Sequence, residues 1–159
     1  MGKYVTLESK RNVNIFDLPM LTELLIAEIR GLWEVHNDYM GGPFVSHVFY
    51  SPDGKYMYMI SELKNEIWVY SYDNSTGFPQ FEMIQRISSL GKKHSNVNAA
   101  MRIRFSRGYN YVLCSNVGDN SAGVFEIDHE TGLLTKVCVL PISGSFPKDV
   151  GMLPGEKYL

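Results

Sequence analysis

A strong charge of either sign is missing from this sequence. Its 15 basic and 17 acidic residues leave a formal net charge of −2, which gives no electrostatic pull toward nucleic acid or an acidic membrane surface. Long apolar runs are also missing: stretches such as residues 24–27 fall far short of the ~20 residues that span a bilayer. The N-terminus lacks the basic region and apolar core of a secretory signal, so the cytoplasm is the expected compartment. Cysteine is scarce. Cys114 and Cys138 are the only two, both inside apolar runs that read as strands, so free buried thiols are expected rather than a disulfide framework. His36, His94 and His129 share no metal-ligand spacing, and no cysteine or acidic cluster accompanies them, so the expectation is surface histidines and no metal. No glycine-rich loop joins a strand to a helix, which removes the case for nucleotide binding, and no cofactor is expected. Asn74-Ser75-Thr76 has the form of a glycosylation acceptor, but without a secretory signal it reads as a turn. Lys92-Lys93-His94 reads as a solvated loop.

What is present is a repeat. With 45% apolar and 20% charged residues in 159, the chain has an ordinary globular composition and can bury about two-thirds of its unfolded surface. Four segments line up roughly fifty residues apart: Lys3-Tyr4-Val5, Lys55-Tyr56-Met57, Asn110-Tyr111-Val112 and Lys157-Tyr158-Leu159. Ser51-Pro52-Asp53-Gly54 and Leu153-Pro154-Gly155-Glu156 precede the second and fourth; proline presets φ and glycine tolerates positive φ, so these are hairpin turns. Downstream, residues 65–70 correspond to 120–125, with a shorter version at 12–16. Asp73 and Asp128 then each stand four residues before a glycine, Gly77 and Gly132, which marks equivalent turns. The alternating aromatic and β-branched segments between turns read as strands.

One unit therefore runs strand A at 46–51, strand B at 56–61, strand C at 66–72 and strand D at 81–87. Four consecutive antiparallel strands make one blade, so the expected fold is an all-β, partial β-propeller of about three blades. A single domain over 1–159 is expected, with repeat units at approximately 4–55, 56–110 and 111–157. The chain opens and stops at the same phase of the repeat, on strand B, so it is expected to be a fragment of a longer chain or a protomer that self-associates to close. One stretch departs from the pattern. Residues 18–35 place Leu21, Leu25, Ile29 and Leu32 on one helical face, yet by repeat position they contain strand D, and strand is the reading preferred over an inserted helix.

Gly42-Pro43, His47, Ser51-Pro52-Asp53-Gly54-Lys55-Tyr56, Ser61-Glu62-Leu63 and residues 67–73 resemble the lactonase family of seven-bladed propellers, which includes 6-phosphogluconolactonase. The resemblance resumes at Asn98-Ala99-Ala100, Ser115-Asn116, Asp119-Asn120-Ser121, Val124-Phe125 and Pro147-Lys148-Asp149, covering roughly 41–159. A WD-repeat propeller is disfavoured, since neither the Gly-His nor the Trp-Asp dipeptide occurs.

The resemblance implies hydrolysis of a sugar lactone, in which water attacks a ring carbonyl and donors stabilise the oxyanion. It implies His47 and Glu62 as catalytic residues and Arg102, Asn116 and Lys148 as substrate-binding residues. The motifs have changed at charged positions. Ser46 stands where the family's Gly-Pro-Arg-His has arginine, and Arg102 where its Ala-Ala-Glu-Ile has glutamate. Ser115-Asn116-Val117-Gly118-Asp119 loses an arginine and a histidine of Ser-Asn-Arg-Gly-His, and Lys148 keeps charge without bidentate geometry. His47 reads equally as a hydrogen-bonded structural histidine, and Glu62 as a turn cap or partner of Lys64. The readings carried forward are a lactonase-like hydrolase acting on a small sugar lactone, a non-catalytic propeller for binding or scaffolding, and a lactone-forming cycloisomerase of the same fold.

Overall fold

A computed structural model describes residues 4–8, 13–17, 26–28, 45–73, 75, 80–94 and 97–159. Among these described residues eleven strands form three antiparallel sheets: β1 (Tyr4–Glu8), β2 (Val13–Asp17) and β3 (Ile26–Glu28) in one; β4 (Val45–Tyr50), β5 (Tyr56–Ser61), β6 (Glu66–Asp73) and β7 (Gln80–Ser88) in the next; β8 (Ala100–Phe105), β9 (Tyr111–Asn116), β10 (Ser121–Ile127) and β11 (Leu134–Pro141) in the third. Each sheet is a meander in which every strand pairs with its neighbours in sequence. The two four-stranded sheets match the A to D strands expected from the repeat, to within a residue or so at their ends. Among the described residues no helix occurs. Within 18–35, residues 26–28 are the strand β3, paired with β2; the rest of that stretch, and Gly42-Pro43, lie outside the described residues.

The turns explain why the repeat folds alike in each copy. Ser51 Oγ accepts from the Lys55 and Tyr56 amides at 3.2 and 3.0 Å, and Ser106 Oγ accepts from those of Asn110 and Tyr111, both at 3.1 Å. A serine hydroxyl thus clasps each A–B hairpin, even though the second turn has no proline. Asp73 accepts from the Ser75 amide at 2.8 Å, and Asp128 from the Glu130 amide at 2.9 Å, closing each C–D turn as an Asx turn. Asn65 and Asn120 occupy equivalent B–C turn positions at φ 57° and 52°, where asparagine is tolerated better than most residues.

Strand alternation places Met57, Met59, Trp68 and Tyr70 on one face of the β4–β7 sheet. Tyr58, Ile60, Ile67 and Val69 on the other face pack against Ile103, Val112, Cys114, Phe125 and Leu134 of the β8–β11 sheet. Both faces of a middle blade are therefore buried, which is why its strands read as near-continuous apolar runs. The seam is held by polar contacts at its ends as well. Tyr56 Oη donates to the Glu130 carbonyl at 2.6 Å and Tyr58 Oη to the Gly132 carbonyl at 2.9 Å. The Ala100 amide donates to the Glu62 carbonyl at 3.1 Å. Both cysteines are free; Cys114 is buried as expected, but Cys138 is only half-buried because it lies on the last strand of its sheet. Burial pushes the Cys114 thiol up to about 12, so it is inert packing.

Candidate functional site

The B–C turns and the starts of the A strands lie at one end of the two sheets, since Val45 pairs with Ser61 and Ala100 with Asn116. In both sheets the A strand carries a bulge at this end, between Val45 and His47 and between Ala100 and Ile103. A bulge adds a residue to one strand and re-aims the side chains beside it. Here it acts on equivalent positions: His47 and Arg102 each stand nine residues before the repeat tyrosine, Tyr56 and Tyr111, and Asp149 stands nine before Tyr158. The spacing was open to reading in the sequence, but only strand pairing shows that it marks the bulge.

His47 and Arg102 meet. The Arg102 guanidinium donates from Nη1 to His47 Nε2, so in this arrangement the imidazole is neutral with its proton on Nδ1. Nδ1 is buried and makes no hydrogen bond of ordinary geometry among the described residues, although the Met101 backbone is close enough to favour a protonated ring. Desolvation, followed by the charge of Arg102, holds the His47 pKa below its ordinary value of 6.5; Arg104 adds to this and Asp149 opposes it. The ring stacks at 6.3 Å on Phe49 of its own strand.

Arg104, two residues along β8, grips Asp149 with both Nε (2.8 Å) and Nη2 (2.5 Å). That fork holds the Asp149 carboxyl down at about 2, chiefly through the hydrogen bonds from Arg104. It also ties the segment carrying Lys148, which is exposed, to the strand carrying Arg102. Arg104 was not singled out from sequence, and Asp149 entered only as the last residue of the Pro147-Lys148-Asp149 motif, with no role of its own. Glu62 sits in the β5–β6 turn at the same end of the sheet, half-buried.

Asn116 behaves differently from the other candidates. It is fully buried; its amide nitrogen donates to the Ser89 carbonyl at 3.0 Å and Ser121 Oγ at 3.1 Å, and its oxygen accepts from Ser89 Oγ at 2.7 Å. Beside it, Asn98 donates to Asn65 Oδ1 at 2.7 Å and accepts from the Gly118 and Asp119 amides, both at 2.9 Å. Together they lock the two B–C turns to one another. A separate concavity of about 230 Å³ opens at the opposite end of the seam, among Asp53, Tyr56, Phe105, Tyr109 and His129, and none of His47, Glu62, Arg102, Asn116 or Lys148 lines it. Among the described residues no group of three or more His, Cys, Asp or Glu side chains converges as a metal site would require.

Comparison with known proteins agrees with this architecture. The model of a family described as lactonase, seven-bladed β-propeller, matches residues 39–159, and that of a domain of unknown function matches 1–71. The 6-phosphogluconolactonase of Bacillus subtilis (strain 168) is 28% identical over 113 residues, 71% of this chain and 32% of that protein. A protein of Lactococcus lactis subsp. cremoris is 27% identical over 113 residues, 71% of this chain and 33% of its own length. The chain thus spans about a third of the curated relatives it matches. Among solved structures, the periplasmic gluconolactonase of Pseudomonas aeruginosa superposes with a TM-score of 0.77 at 18% identity, over 98% of this chain and 42% of that one. A Lactobacillus plantarum protein gives 0.73 at 24% identity, over 96% and 42%. At these identities the two structures show a common fold.

Proposed function

Because the chain belongs to the lactonase family of seven-bladed β-propellers, we propose that it supplies part of a site that hydrolyses a sugar lactone, of the kind 6-phosphogluconolactone exemplifies. The observation that carries this reading is the meeting of His47 with Arg102 across two adjacent A strands, a base and a cation at the end where the B–C turns gather.

In the proposed reaction His47 Nε2 removes a proton from water as the water oxygen bonds to the lactone carbonyl carbon. The carbonyl π pair moves onto oxygen, where a guanidinium or ammonium donor stabilises it. Collapse of the tetrahedral intermediate breaks the ring C–O bond, and the imidazolium returns its proton to the departing alkoxide. Lys148 is assigned to an anionic group of the substrate, and Glu62 to orienting water from the neighbouring turn. Asn116 is assigned to holding the turns rather than to direct contact, since its polar atoms are already engaged. The proposed compartment is the cytoplasm, where free thiols such as Cys114 stay reduced.

The test is hydrolysis of 6-phosphogluconolactone by the whole chain, above the spontaneous rate. His47→Ala should lower kcat/KM at least ~10-fold; an unchanged rate returns His47 to a structural role. A binding propeller without turnover is the second reading, favoured by the internal engagement of Asn116, and predicts sugar binding with no hydrolysis.

A further inference from the structure

Arg102 occupies an unusual position for an arginine. It is half-buried, and among the described residues it makes no ion pair; the nearby Asp149 carboxylate, which feels its charge, is forked by Arg104 instead. Its backbone is pinned, the amide donating to Ser115 Oγ at 3.2 Å, while its side chain spends a guanidinium N–H on the lone pair of His47. A neutral imidazole is a weak partner for a guanidinium compared with a carboxylate or phosphate, which accept charge-assisted and often bidentate hydrogen bonds. The same contact blocks the chemistry, since the Nε2 lone pair that must accept a proton from water is the one Arg102 covers.

We propose that Arg102 is an anion-operated gate on His47: it caps Nε2 as seen here, and an anionic group on the substrate draws the guanidinium away and frees the base. This deepens the lactonase reading and rests on it for the identity of the reaction. The gate makes discrimination in favour of anionic sugars appear in kcat as well as in binding, because a neutral lactone can occupy the site without uncovering the base. The charged groups acting on the ring are Arg102 and Arg104 from β8 and Asp149 from the following segment. The capping guanidinium depresses the imidazole, so its departure toward an anion moves the His47 titration upward.

The experiment follows the imidazole directly. The His47 ring nitrogens are observed by NMR in the whole chain through a pH titration, with assignment by His47→Gln, in the presence of glucose 6-phosphate or of glucose. The expected result is an upward shift of the His47 pKa with glucose 6-phosphate and none with glucose. Arg102→Gln should start from the raised value and no longer respond, while Arg102→Lys, which keeps the charge, should retain part of the response. In parallel, the kcat preference for a phosphorylated over a neutral gluconolactone should fall at least ~10-fold in Arg102→Gln. A His47 titration that is the same with both sugars, or an Arg102→Gln variant that responds as the parent does, overturns the gate even if hydrolysis is normal. A parent chain that shows the anion-dependent shift but hydrolyses no lactone overturns the lactonase reading and leaves the gate standing.

Discussion

At the scale of single side chains, two ionisable groups make opposite demands on pH. His47 titrates below 6.5 in the fold, so the unfolded chain takes up a proton that the folded chain refuses. Its burial therefore costs stability as pH falls below about 6.5, and costs nothing above it. The same shift keeps the base neutral in mildly acidic solution. The acid limb of the kcat/KM profile, which reports the substrate-free chain, should have its midpoint below 6.5, and a midpoint at or above that value removes His47 as the base. Asp149 has the reverse sign: its contribution is present above the ordinary carboxylate range and is lost as pH falls toward about 2. The pair with Arg104 is about half exposed, so solvent screening limits it to under ~1 kcal/mol. Asp149→Asn should lower the denaturation midpoint only slightly near neutrality and not at all near pH ~2. Hydrogen exchange in residues 147–152 should nonetheless quicken, since the fork anchors that segment.

At the scale of strands and turns, the repeat is a set of side-chain clasps as well as a spacing. Ser51 and Ser106 close the A–B hairpins, Asp73 and Asp128 the C–D turns, and Asn98 with Asn116 binds one B–C turn to the next. The C–D turn of one blade also receives a side chain from the blade before it. Gly132 sits at φ +73° with the Tyr56 ring directly where a Cβ would lie. Gly132→Ala combines left-handed strain with a displaced aromatic ring, and is expected to cost ~2 kcal/mol or more; urea denaturation measures it. Gly54, at a similar φ but with open space around it, is the control, and alanine there should cost only the backbone strain, ~1 kcal/mol. The turns were legible beforehand because Pro, Gly, Asp and Asn announce them. The second A–B turn was not, because its serine clasp works without a proline.

At the scale of the whole molecule, the two four-stranded sheets share one apolar cluster, so they should unfold as a unit. Phe125→Ala, in the second sheet, should cost ~3–5 kcal/mol. It should also lower the transition reported by Trp68 fluorescence in the first sheet, read in a Trp33→Phe background. Independent transitions would mean that the seam does not couple the blades. The all-β class, the fifty-residue unit and the order of strands within each blade followed from the sequence alone, because strand alternation and turn chemistry are local and recur in every copy. His47, Glu62 and Lys148 were found only through family resemblance, while Arg104, and its pairing with the motif residue Asp149, were passed over, because an ion pair between strands and segments 45 residues apart leaves no local signature. Tertiary structure decided how those residues relate. Packing two bulged A strands side by side brought His47 against Arg102, left Asn116 inside a hydrogen-bond network and gave Asp149 to Arg104, since contacts across the seam depend on which faces meet and the order of residues along one strand does not state that.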